Sequence, residues 1–166
     1  MTRIVVGIDG SEASQNALRW ALEEAQFHQG ARLTVVHAYH LPASRNYSAY
    51  ADSFLNVSAM VQRIEVDQPR REFDQPPRED DETYVRQGAK RLLNRVLDAA
   101  RTGPISGKVE LLAIPDDPAK TLIDFSRDAD MVVVGSRGRG GFKGLLLGSV
   151  SQQCLHHAHC PVVVVR

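Results

Sequence analysis

Met131-Val-Val-Val-Gly-Ser-Arg-Gly-Arg-Gly-Gly-Phe-Lys-Gly-Leu-Leu-Leu-Gly-Ser-Val-Ser151 joins an apolar strand, a glycine-rich loop and the start of a helix. Met131-Val-Val-Val-Gly135 is apolar throughout, the pattern of a strand buried on both faces of a parallel sheet. Six of the twelve glycines lie between Gly135 and Gly148. Glycine allows positive φ and lets backbone amides approach an anion closely. The helix start adds unpaired amides and the positive end of its dipole. Ser149 and Ser151 offer hydroxyl donors, and Arg137, Arg139 and Lys143 supply local positive charge. In an open α/β sheet, ligands bind beyond the carboxyl ends of the strands. The stretch reads as a phosphate cradle; the plainer alternative is a flexible turn.

Working outward, the same strand pattern returns. Ile4-Val-Val-Gly-Ile8 opens the chain, and Ser11 is placed to cap a helix carrying Ala13, Ala17, Leu18, Ala21, Leu22 and Ala25, with Gly30 as its stop. Leu33-Thr-Val-Val-His-Ala38 is a second strand, completing a βαβ unit. Val85, Ala89, Leu92, Leu93, Val96, Leu97 and Ala100 fit one helical face, ended by Gly103-Pro104. Val109 to Ile114 is a third strand, and Asp117-Pro118 caps a helix reaching about Arg127. Val150, Cys154, Leu155 and Ala158 mark the last helix, with Cys154 and Leu155 on its apolar stripe, before the strand Val162-Val-Val-Val165. The expected fold is α/β: three layers, with five doubly buried parallel strands and helices on both faces. One domain is expected over residues 1–166. Residues 42–81 form an exposed insertion in this reading, rich in proline and charge, with a short helix from Phe54 to Ile64 inside it.

Composition narrows the function. Lys plus Arg is 20 and Asp plus Glu is 20, so the net charge is zero, which argues against a nucleic-acid binder working by bulk positive field. No apolar run approaches the roughly 18 residues of a membrane span, and the apolar N-terminal run is too short for a signal peptide. Two cysteines give no disulfide framework, so a cytoplasmic location is expected.

The common nucleotide motifs do not fit. A Gly-x-Gly-x-x-Gly read from Gly138 needs glycine where Lys143 stands, and Gly107-Lys108 lacks the serine or threonine of a P-loop. Gly-x-x-Gly, nine residues, then Gly-Ser does fit, at Gly135, Gly138, Gly148 and Ser149. This resembles the signature of the ATP-binding branch of the universal stress protein family. Ile4-Val-Val-Gly-Ile-Asp9-Gly-Ser11, Val36-His37-Ala38 and Cys160-Pro161-Val-Val-Val164 extend the resemblance to nearly the whole chain outside the insertion. It implies strand order 3-2-1-4-5 and an adenine nucleotide alpha hydrolase-like fold. It also implies ATP as ligand, with Mg2+ or Mn2+ held through the phosphates. Asp9 would then lie beside the nucleoside, with Gly7 next to it, and Ala38 would read the adenine edge through its backbone. Val134 and Gly135 would flank the ribose. Gly138, Gly148, Ser149, Val150 and Ser151 would hold the phosphates, mostly through backbone amides.

Other constellations read more plainly. Cys154-Leu-His-His-Ala-His-Cys160 resembles a metal cluster only in composition, since its members divide between a helix and the next strand. His37 reads as a packed strand residue, and Trp20 as core or interface packing. Asp9 has a second reading, as a carboxylate favouring the following helix start. Asp9 is the sole titratable candidate near the loop, so a regulatory binding module is favoured over an enzyme. The alternatives are a weak ATPase, a sensor of cyclic AMP or another adenine nucleotide, and an interaction protein whose ligand is incidental. The final strand is expected at a sheet edge, where its four valines invite a homodimer through antiparallel pairing of two such strands. Val163→Pro is expected to remove an edge donor or distort that pairing.

Overall fold

The computed structural model of the chain describes residues 1–39, 79–100, 107–139 and 146–166. In chain order these form β1 (Arg3–Gly7), α1 (Glu12–Gln26), β2 (Arg32–Ala38), α2 (Glu79–Ala100), β3 (Lys108–Ile114), α3 (Pro118–Phe125), β4 (Met131–Gly135), α4 (Ser149–His157) and β5 (Val162–Val165). The strands make one five-stranded sheet in the order β3-β2-β1-β4-β5, with every pair parallel. Ile4 stands level with Leu33 on one side and Met131 on the other, so β1 is central.

Alternation along each strand divides the core in two. Ile4, Val6, Leu33, Val35 and Val133 face α1 and α2. Val5, Val36, Val132 and Val134 face the other way, with Leu122 of α3 and Cys154 of α4. All seven apolar positions expected on the inner face of α2, from Val85 to Ala100, are buried. Ser11 and Asp117 both cap as expected, accepting from the Ser14 and Lys120 amides. His37 is buried, and Trp20 packs against the α1 side of the core.

Several expectations change. α1 ends at Gln26 rather than near Gly30, which instead sits at φ +71° in the turn to β2. α2 begins at Glu79, inside the stretch expected as loop. α3 ends at Phe125, two residues short of Arg127. Leu155 is 47% exposed, because the buried stripe of α4 is narrow and runs through Ser151 and Cys154. The edge strands β3 and β5 are only partly buried, since each lacks a neighbour on one side. Most of the insertion, including Phe54 to Ile64, lies outside the described residues, as does the stop at Gly103-Pro104.

β5 is an edge strand, and its hydrogen bonds fix which residues point outward. The carbonyls of Pro161 and Val165 accept from Val132 and Ser136 of the β4 side. In a parallel pair the bonding direction alternates, so Val163 also bonds inward and Val162 and Val164 face the open edge. The expectation for Val163→Pro is therefore corrected: that substitution breaks the ladder inside the sheet.

Candidate functional site

β1 and β4 are neighbours whose chains leave the sheet on opposite sides of the strand order, one toward β2 and the other toward β5. That is the switch point at which an open sheet leaves a crevice beyond its carboxyl ends. Asp9 and Gly135 to Arg139 lie there.

Asp9 joins the two turns. Its Oδ1 accepts from the Ser11 amide at 2.9 Å and the Ser11 hydroxyl at 2.6 Å. Its Oδ2 accepts from the Arg139 amide at 3.0 Å. A Cβ at Gly138 would lie 2.4 Å from that same oxygen. The readings of Asp9 as a helix-start carboxylate and as a ligand group are compatible, because a carboxylate has about four acceptor positions. Ser11 also accepts from the Ser14 amide at 3.2 Å, so the capped end of α1 fixes Oδ1.

The loop is closed at its base. Ser136 donates its amide to Val165 O at 2.6 Å, and its carbonyl accepts from the Gly148 amide at 2.7 Å. The Ser151 hydroxyl lies 3.1 Å from Ser136 O and 2.9 Å from Gly148 O. Ser151 is buried, so its hydroxyl secures the loop instead of standing open as a donor. Its backbone amide, with those of Ser149 and Val150, belongs to the first turn of α4, where an α-helix supplies no acceptor of its own. The N-cap there is Gly148, with no side-chain hydrogen bond, unlike Ser11 and Asp117 at the starts of α1 and α3.

The glycines divide by what they touch. A Cβ at Gly7 would lie 2.7 Å from Leu122 Cδ1, and one at Gly135 would lie 2.7 Å from Ala13 C and 2.8 Å from Ser14 N. Gly135 is required by the close approach of the α1 main chain, whereas Gly7 meets only the end of a side chain that can turn. At Gly148 a Cβ would meet nothing nearer than 3.5 Å, an ordinary contact. Val134 is buried, facing Leu122 and Cys154, so only its backbone is offered to the crevice. Ala38 ends β2, one strand away from β1. Behind Asp9, the buried His37 ring donates from Nδ1 to Ile8 O at 2.7 Å. Burial holds its pKa below the usual value; that carbonyl and Asp9 act against the shift, and Arg139 adds to it.

Asp9, Gly135, Gly138, Gly148 and the start of α4 thus meet at one place. Gly140 to Leu145, including Lys143, lie outside the described residues. The parts that sequence reasoning missed are the Arg139 amide and the Ser136 carbonyl. Main-chain groups leave a trace in sequence only through the glycines around them. Among the described residues, no group of three or more histidines, cysteines and carboxylates is arranged to hold a metal ion, and no helix is long and apolar enough to cross a membrane.

The model of the universal stress protein family matches residues 1–166. The universal stress protein Rv2623 of Mycobacterium tuberculosis is 36% identical over 165 residues, covering 98% of this chain and 47% of its own length. The chain thus spans about half the length of the curated relatives it matches. Among solved structures, the universal stress protein UspA from Lactobacillus plantarum superposes with a TM-score of 0.63 at 20% identity, covering 99% of this chain and 97% of that one. A universal stress protein in complex with cAMP superposes at 0.58 with 21% identity, covering 99% and 96%. One from Archaeoglobus fulgidus in complex with dAMP superposes at 0.56 with 19% identity, covering 100% and 98%.

Proposed function

The chain belongs to the universal stress protein family, and from that premise we propose that it is a regulatory module binding an adenine nucleotide, ATP above all, at the β1–β4 switch point. The observation that carries this reading is the start of α4. Gly148 leaves the helix without a side-chain cap, and the fold itself does not need a glycine there. A phosphate needs both features: open amides and no Cβ in the way. Gly138, Ser149, Val150 and Ser151 would hold the phosphates through backbone amides. Asp9 would use its remaining acceptor position on the ribose or adenine, with the backbones of Gly7, Ala38, Val134 and Gly135 around it. Mg2+ or Mn2+ would be carried by phosphate oxygens and water, the usual manner of Mg2+.

The solved relatives with cAMP and dAMP support the adenine class and favour a second reading, a sensor of a nucleoside monophosphate. Calorimetry with ATP, ADP, AMP and cyclic AMP separates the two. ATP binding that Gly148→Val removes, while the melting transition persists, supports the first reading; tighter binding of cyclic AMP supports the second. We also propose a homodimer through the open edge of β5. The two free cysteines fit a reducing, cytoplasmic setting.

A further inference from the structure

We propose that Asp9 is a positioning residue for the glycine loop: its carboxylate clamps the ascending limb of the loop to the capped end of α1 before any ligand arrives. The loop's relevance to anions rests on the reading above; the clamp itself does not.

Three contacts define it. Oδ1 is held by the amide and hydroxyl of Ser11, the residue that caps α1. Oδ2, on the far side of the same rigid group, takes the Arg139 amide at 3.0 Å from a residue 130 positions along the chain. Gly138 supplies the clearance, because any Cβ there would press on Oδ2. The limb from Ser136 to Arg139 is therefore tied at both ends, by Gly148 and Ser151 at its base and by Asp9 at its top.

The consequence concerns phosphates as well as nucleosides. A loop fixed in advance loses less conformational freedom on binding, so its anion affinity is higher. A residue that only read the ribose or adenine would leave the affinity for a bare polyphosphate unchanged. A residue acting only through its negative charge would oppose the anion, and its removal would tighten binding. The clamp has the opposite sign: its removal weakens binding of a polyphosphate that carries no nucleoside.

Two measurements on the full chain decide this. Amide exchange followed by NMR, without ligand, reads the Arg139 hydrogen bond directly. The expected result is exchange at Arg139 about tenfold faster in Asp9→Ala and in Gly138→Ala than in the wild type, with Asp9→Asn, which keeps one acceptor oxygen, in between. Gly138→Ala keeps the Asp9 carboxylate and Ser11 in the chain and displaces Oδ2 from the Arg139 amide, so it decides the matter should Asp9→Ala fail to fold. Arg139 exchange unchanged in Gly138→Ala overturns the clamp. Calorimetry with inorganic tripolyphosphate reads the consequence. About a fivefold or larger loss of affinity in Asp9→Ala, partly restored in Asp9→Asn, is expected; unchanged or tighter binding overturns the proposal. Should the wild type bind neither tripolyphosphate nor ATP, the nucleotide reading fails, while Arg139 exchange still decides the clamp.

Discussion

A methyl group added at Gly135 would meet main-chain atoms of Ala13 and Ser14, which cannot rotate away. One added at Gly7 would meet the end of the Leu122 side chain, which can turn at some cost to its packing, and one at Gly148 would fit without conflict. Urea denaturation should therefore rank the alanine variants. Gly135→Ala should lose the most, roughly 2–3 kcal/mol; Gly7→Ala about 1 kcal/mol; and Gly148→Ala less than about 1 kcal/mol, the range of a changed helix cap. Equal losses at all three would contradict the packing described. His37 gives a pH dependence. Its pKa in the fold lies below the ordinary 6.5, so the unfolded chain binds the proton more readily. The contribution of His37 is complete above pH 6.5 and declines as pH falls from there toward the folded-state value. The loss is about 1.4 kcal/mol per unit of separation between the two values. Between pH 7.5 and 5.5, His37→Gln should therefore lose less stability than the wild type.

At the scale of elements, β5 separates two neighbouring valines. Val163 bonds into β4, so Val163→Pro should lower the melting temperature markedly, by removing a bond of the ladder. Val164 faces the open edge, so Val164→Pro should keep the fold and weaken only the pairing of two copies. Light scattering and thermal melting on the two variants check this; a reversed pattern would mean the register is wrong. Direction of bonding is a property of paired strands and leaves no mark in a run of four valines. What the sequence does carry is burial. Largely apolar runs at Ile4, Leu33 and Met131 fit strands with neighbours on both sides and helices on both faces. The inner stripe of α2 was likewise readable residue by residue. Leu155 was not, because two turns of helix are too short for a period to distinguish a stripe from its border. At the site, the glycine spacing and Asp9 were legible. The second tie of Asp9 was not, since it depends on a main-chain amide brought across the sheet.

For the molecule as a whole, the open edge of β5 leaves Val162 and Val164 to pair with a second copy. Light scattering at tens of micromolar should then give about twice 18.3 kDa. A mass at the single-chain value would remove the dimer. The order of the strands bears also on biosynthesis. β1 is the central strand, yet its partner β4 begins at Met131, long after it in the chain. During translation, β1 can first pair only with β2, and its other side stays bare while some hundred further residues are made. Newly made chains therefore pass through a window in which the central strand of the sheet is half covered. Aggregation is best contained in that window by factors acting at the ribosome.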